Sequence, residues 1–170
     1  MKSLYLFCGL AFSGKSTLAR ALVERLGTAY ISLDDINHER RLRFGGAGLP
    51  VEEWERTHQI ALSWMEELMP GGHDIVIDDT SDLCRLRDRF RRMAERYGYQ
   101  TVIVYLDVPL TEIHERMCRN QETNRRPSAK EQICEALVRN FEPPDADEDV
   151  LVYHGAEPVL DWLKRHFPTH

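Results

Sequence analysis

Residues Gly9 to Ser16 read Gly-Leu-Ala-Phe-Ser-Gly-Lys-Ser, a complete G-x-x-x-x-G-K-[ST] pattern. Such a loop wraps backbone N–H groups around nucleotide phosphates. Its lysine, Lys15, would reach the β- and γ-phosphates, and the Ser16 hydroxyl would ligate Mg²⁺. Gly9 and Gly14 let the backbone come close, and the helix opening at Lys15 points its positive end at the anion. Ser13 and Thr17 complete the phosphate-binding set. The pattern needs a strand before it and a helix after it. Leu4–Cys8 is a short apolar run, and Leu18, Ala19, Leu22, Val23 and Leu26 share one helical face, so both are present. ATP with Mg²⁺ is the implied ligand.

Two further carboxylate pairs sit where such a loop could use them. Asp34-Asp35 follows Tyr30-Ile31-Ser32-Leu33, and Asp78-Asp79-Thr80 follows Ile75-Val76-Ile77. Ligands of open α/β sheets bind beyond the carboxyl ends of the strands. A carboxylate at the first pair could take a proton from an acceptor hydroxyl. One at the second could orient the metal or its water shell. Helix capping is the alternative use of either pair, and either aspartate of Asp78-Asp79 could face the nucleotide. Arg116, Arg119, Arg125 and Arg126 surround a polar stretch suited to a lid, and guanidinium forks match the charge of a migrating phosphoryl group. Arg116 and Arg119 share a face if their helix continues.

Apolar runs at Leu4–Cys8, Ala29–Leu33, Ile75–Asp78, Thr101–Asp107 and Val150–Tyr153 alternate with helical stretches. The helices expected are Lys15–Leu26, Ile36–Phe44, Val51–Met69, Leu83–Tyr97, Leu110–Arg119, Ser128–Phe141 and Pro158–His166. This rhythm implies a parallel sheet with helices on both faces. The chain of 170 residues suits one domain, 1–170, with a lid around 119–128.

Composition is that of an ordinary soluble protein, 42% hydrophobic and 29% charged, and no apolar run is long enough to span a bilayer. Met1-Lys2-Ser3 leads straight into the first expected strand, so no signal peptide is expected. The four cysteines form no CxxC pair, which fits free thiols in a reducing cytoplasm. The seven histidines form no metal-binding spacing and read as surface or helix-end residues. A net charge of −6 argues against a broad nucleic-acid surface, although Arg85, Arg87, Arg89, Arg91, Arg92 and Arg96 crowd one segment. There is no NKxD guanine signature.

Taken together, GLAFSGKST, ISLDDI, IVIDDTSD, LRDRFRR, VIVYLDVPLTEIHERM, RRP and NFEPP resemble the small P-loop kinases of the zeta-toxin and polynucleotide-kinase type, the AAA-33 group. The resemblance covers nearly the whole chain. It implies a three-layer α/β sandwich like that of nucleoside-monophosphate kinases, with five parallel strands in the order 2-3-1-4-5. It also implies that Asp34 is the general base, that Asp79 joins Ser16 at the metal, and that Arg116 is the first lid arginine. Phage-type polynucleotide kinases carry an arginine just after the Asp-Asp pair to hold the acceptor-side phosphate. Here that position is Asn37, with Arg40 or Arg41 one turn further on, and Asp35 and Arg125 are the other acceptor-side candidates. The expectation is an ATP-dependent kinase acting on a hydroxyl of a small molecule such as a nucleotide, sugar nucleotide or antibiotic. The alternatives are a polynucleotide 5′-hydroxyl kinase, or a P-loop ATPase or switch with no acceptor.

Overall fold

A computed structural model describes residues 2–42, 48–123 and 138–168. Its strands are β1 (Ser3–Cys8), β2 (Ala29–Ser32), β3 (Ile75–Asp78), β4 (Gln100–Leu106) and β5 (Val150–Tyr153). Its helices are α1 (Lys15–Leu26), α2 (Leu33–Glu39), α3 (Val51–Leu68), α4 (Cys84–Arg96), α5 (Leu110–Thr123) and α6 (Val159–His166). The strands form one parallel sheet in the order β2-β3-β1-β4-β5. This is the fold class and strand order expected from the sequence.

Strand alternation sorts the core into two layers. Leu4, Leu6, Ile31, Ile75, Ile77 and Ile103 pack with Ala61 and Met65 of α3 and with Phe90 and Ala94 of α4. Tyr5, Phe7, Val76, Val104 and Leu106 face the other way, onto Leu18, Ala19 and Leu22 of α1 and Trp162 and Leu163 of α6. The sheet is buried on both faces, as a parallel sheet requires. The layer containing α1 carries the Gly9–Ser16 loop, so residues on that face of the strands point toward it.

Some boundaries differ from the sequence reading, each for a local reason. β2 ends at Ser32, one residue early, because the Ser32 side chain accepts from Asp35 N at 3.2 Å and caps α2. Neither Asp34 nor Asp35 is the cap; both lie in the first turn, where carboxylates suit the helix dipole. α2 is already over by Arg40, and Arg41 adopts φ 59, the left-handed conformation that terminates helices. α5 continues past Arg119 to Thr123. Of the lid segment, 119–123 therefore belong to α5, while Arg125 and Arg126 lie outside the described residues. So does most of the expected Ser128–Phe141 helix, of which residues 138–140 are helical.

Candidate functional site

The loop between β1 and α1 is built by close approach. Gly9 has φ 147, and a Cβ there would meet the Leu106 carbonyl oxygen at 2.9 Å and Ser13 Oγ at 3.3 Å. Any side chain at Gly9 would push the loop off the end of β4. Its own N–H donates to the Thr80 carbonyl at 3.1 Å, which pins the loop to the end of β3. Gly14, at φ 99, precedes the first residue of α1 without a side-chain cap, so the first N–H groups of the helix remain directed at the loop's concavity. Phe12 sits at φ 63, a left-handed conformation that costs a non-glycine residue about 1–2 kcal/mol. Such strain persists only where surrounding contacts over-determine it.

Arg116 of α5 supplies that contact. Its Nη1 donates to the carbonyls of Phe12 at 3.2 Å and Ser13 at 2.8 Å, and its Nη2 pairs with Glu112 one turn back. A Cβ on Gly14 would lie 3.3 Å from Arg116 Nη1. The expected lid arginine thus lies against the phosphate loop. Arg119 is exposed, with Nε directed at the Glu115 carbonyl at 3.4 Å.

Lys15 donates to the Leu10 carbonyl at 2.7 Å and so folds back over its own loop. Burial lowers its pKa, opposed by the charges of Asp78, Asp79 and Asp34. Asp78 at the end of β3, Asp79 just after it and Asp34 in the first turn of α2 are thus within electrostatic reach of one ammonium. Ser16 is half-buried at the first turn of α1, and Thr17 is exposed. Ser13 is fully buried, and its hydroxyl has no hydrogen-bond partner within the protein. A buried hydroxyl in a phosphate loop is a group a ligand can satisfy.

The two aspartates at the end of β3 have different surroundings. Asp78 shares its strand face with Val76, and thus the α1 layer, and its Oδ2 accepts from the Tyr30 hydroxyl at 2.7 Å. Burial first, then the charge and hydrogen bond of Asp78, raises the Tyr30 pKa above its usual 10.0 and keeps the phenol a donor. Asp79 turns toward α3. Its Oδ2 accepts from Ser81 N and Ser81 Oγ, both at 3.1 Å, and lies 3.6 Å from His58 Nε2, the distance of a charge contact rather than a hydrogen bond. Burial works against the charged form of each partner, yet Asp79 with the Trp54 carbonyl raises the His58 pKa, and His58 with Ser81 lowers that of Asp79. Each partner thus favours the charged form of the other. His58 is a buried residue in the middle of α3, not the surface or helix-end residue that its spacing suggested.

An oxygen-only donor set, a serine hydroxyl and one strand-end carboxylate in the same layer, fits Mg²⁺, which takes one or two protein oxygens plus substrate phosphates. Ser16 and Asp78 meet that description. Asp79, the carboxylate the resemblance implies at the metal, has its Oδ2 engaged by Ser81 and His58 on the side of α3. Among the described residues no group of three or more His, Cys, Asp or Glu forms a dedicated cage.

On the acceptor side, the structure separates the candidates. Asp34 is half-buried near Lys15. Asp35 is partly exposed and lies 3.7 Å from Arg20 Nη2. Arg40 donates to the Glu53 carbonyl at 2.8 Å and Thr57 Oγ1 at 2.6 Å, and pairs with the Glu53 carboxylate, so its guanidinium ties α2 to α3. Asn37 is fully buried, and its Oδ1 accepts from Thr57 Oγ1 at 2.5 Å. Arg41 is exposed at the end of α2.

The arginine-rich helix α4 is not a bare cationic face. Arg87 is fully buried. It makes two hydrogen bonds to Glu148, at 2.9 and 3.1 Å, and reaches the carbonyls of Ser81, Glu142 and Pro143. Arg89 pairs with Glu55, and Arg91 and Arg92 pair with Asp88. Arg87 and Glu148 thereby hold the segment before β5 against the turn that carries Asp79 and Ser81. Sequence spacing alone could not find this pair, since 61 residues separate its members. The thiols are unpaired at Cys8, Cys84 and Cys118, and burial pushes Cys8 up to about 12. No helix among the described residues is long and apolar enough to cross a membrane.

Comparison with known proteins agrees with this architecture. A gluconokinase of Gluconobacter oxydans (strain 621H) is 25% identical over 164 residues, covering 94% of this chain and 88% of that protein. A 2′,3′-cyclic-nucleotide 3′-phosphodiesterase of Pongo abelii is 32% identical over 108 residues, covering 61% of this chain but only 24% of that protein. Among solved structures, the Mycobacterium tuberculosis APS kinase CysC in complex with AMPPNP and APS superposes with a TM-score of 0.70 at 18% identity, covering 96% of this chain and 98% of that one. At that identity the match speaks to the fold: a kinase-like P-loop α/β sandwich. The AAA_33 model, described as an AAA domain, matches residues 4–144, and the chain belongs to that family.

Proposed function

We propose that the protein is an ATP-dependent kinase that phosphorylates a hydroxyl of a small molecule. One observation carries this reading: Asp34, in the first turn of α2 just past β2, is with Asp78 and Asp79 within electrostatic reach of the phosphate-loop lysine. A pure nucleotide switch needs no carboxylate at that place. A kinase does, because the acceptor hydroxyl must lose its proton as it attacks.

In this reading the N–H groups of Gly9–Ser16 and the start of α1 bind the phosphates. Lys15 leaves the Leu10 carbonyl for the β- and γ-phosphates. Ser16 and Asp78 would hold Mg²⁺, which screens the charge of the phosphate oxygens. The acceptor oxygen forms its bond to the γ-phosphorus while the bond to the β–γ bridging oxygen breaks and ADP departs. Asp34 receives the hydroxyl proton. Lys15 and Arg116 stabilise the charge spread over the transferring group. Closure over the bound nucleotide would exclude water.

A small acceptor is favoured by the residues that follow Asp34 along α2. Asn37 is buried against α3, and Arg40 is bound to Glu53 and Thr57, so neither offers a phosphate clamp. The cationic side chains of α4 are largely paired within the protein, which weakens the case for a polynucleotide strand lying across it. Similarity to a gluconokinase and to an APS kinase points the same way.

The test is transfer of radiolabelled γ-phosphate from ATP to a panel of nucleosides, sugar nucleotides, sugar acids, aminoglycosides, chloramphenicol and 5′-hydroxyl oligonucleotides. Lys15→Ala is the control. A labelled small-molecule product that falls by several orders of magnitude in Lys15→Ala supports the reading. Labelling of oligonucleotides alone would replace it with the end-kinase alternative, and near-normal transfer by a folded Lys15→Ala protein would overturn the loop's role.

A further inference from the structure

Tyr30 lies on β2, which β3 separates from β1, the strand that leads into the phosphate loop. In the parallel register of β2 and β3, Ser32 lies opposite Asp78 and Tyr30 opposite Val76. Tyr30 is therefore the diagonal neighbour of Asp78 on the face that looks toward α1. A diagonal gap of that kind is spanned by aromatic and other long side chains, and the Tyr30 hydroxyl spans it, donating to Asp78 Oδ2 at 2.7 Å.

The ring itself is held from the other side. Arg20 of α1 lies over it, with Cζ 5.3 Å from the ring centroid, and the same guanidinium lies 3.7 Å from Asp35. Ser16 and Arg20 are four residues apart on α1 and so share a helix face. A single chain of contacts thus runs from α2 through Arg20 and Tyr30 to the carboxylate that shares a layer with Ser16. A carboxylate has two oxygens and a soft terminal torsion. Fixing one oxygen by a neutral donor leaves Oδ1 as the remaining acceptor and holds it in one direction.

We propose that Tyr30 is a positioning residue: through its hydrogen bond to Oδ2 it sets the Asp78 carboxylate for the cation that accompanies the nucleotide. This rests on the reading that the Gly9–Ser16 loop binds a metal–nucleotide complex. Partners of metal-side carboxylates act by orienting the ligand, and their removal costs about 10–100-fold in metal affinity. Tyr30 does not touch substrate, so it acts through Asp78 alone.

The experiment measures binding rather than turnover, and needs no acceptor. Nucleotide affinity is first measured by calorimetry in EDTA, for wild type, Tyr30→Phe, Asp78→Asn and the double variant. The Mg²⁺ dependence of AMPPNP binding is then titrated, with Mn²⁺ relaxation as an independent readout of the cation. Tyr30→Phe removes one oxygen and keeps the ring on Arg20, so the protein should fold and bind nucleotide without metal as wild type does. The inference expects its half-saturating Mg²⁺ concentration to rise about 10-fold. It also expects Tyr30→Phe to add nothing in the Asp78→Asn background. An unchanged Mg²⁺ dependence in Tyr30→Phe overturns the inference, and so does an additive loss in the double variant. A wild-type protein that binds no nucleotide at all overturns the underlying reading instead, and this inference with it.

Discussion

Arg116 donates to the Ser13 carbonyl at 2.8 Å from a helix 103 residues further along the chain. This contact joins the segment after β4 to the outer wall of the phosphate loop. It also explains how Phe12 is kept at φ 63, since the same guanidinium holds its carbonyl. The guanidinium thus lies directly against the Gly9–Ser16 loop.

Arg116→Ala should therefore act on the nucleotide side of the reaction. Charge-assisted hydrogen bonds contribute about 1.5–3 kcal/mol each. The variant should lose about 10-fold or more in nucleotide affinity or in transfer, whichever acceptor is offered. Calorimetry with AMPPNP and transfer assays with two unrelated acceptors check this. A variant that loses only one acceptor, with ATP binding and acceptor-independent hydrolysis unchanged, would place Arg116 on the acceptor side.

The Asp34-Asp35 pair separates by environment. Asp34 is the member near Lys15, and Asp35 lies toward the exposed Arg20. Because Ser32 supplies the cap, replacing either aspartate leaves α2 capped. Asp34→Asn should bind ATP with Mg²⁺ nearly as wild type yet transfer phosphate at least ~100-fold more slowly, the usual contribution of a general base. Asp35→Asn should cost much less, since exposed ion pairs contribute little. Turnover and ATP affinity measured together decide the assignment; a normal Asp34→Asn beside an inactive Asp35→Asn would reverse it.

The His58–Asp79 pair makes stability depend on pH. The raised folded-state pKa of His58 contributes stability that is fully present below 6.5 and is lost as pH rises through that raised value. The lowered pKa of Asp79 contributes stability present above 3.8 and lost as pH falls through the lowered value. Between those limits both contributions are present. His58→Gln should destabilise the nucleotide-free, metal-free protein by about 1–3 kcal/mol at mildly acidic pH. The difference from wild type should shrink at a pH above that raised value, where the charge is lost. Urea unfolding at the two pH values tests this, and a gap that widens with pH would show that His58 is neutral in the folded protein.

Much of this protein is written locally. The Gly9–Ser16 spacing, the apolar runs and the turn glycines each act within a few residues, and they determined the strands, the helix after the loop and the chemistry of phosphate binding. β3 and α1 have the residue bounds that their periodicity marks. Where a cap competed, as Ser32 did with Asp34 and Asp35, the nearest hydroxyl prevailed and the helix began earlier. Only the tertiary structure decided partner choice. Asp78 and Asp79 are indistinguishable as adjacent letters. The alternation of β3 sends Asp78 to Tyr30 in the α1 layer, while the turn after it sends Asp79 to Ser81 and His58. In the sequence Arg40 is an acceptor-side candidate and Arg87 one of a crowded run of cations, yet each is claimed by a carboxylate from elsewhere in the chain, Glu53 and Glu148. Such choices depend on sheet register and on which helix covers which face. Those are set by the burial of the whole core, so residues far apart in the chain become neighbours only once it has folded.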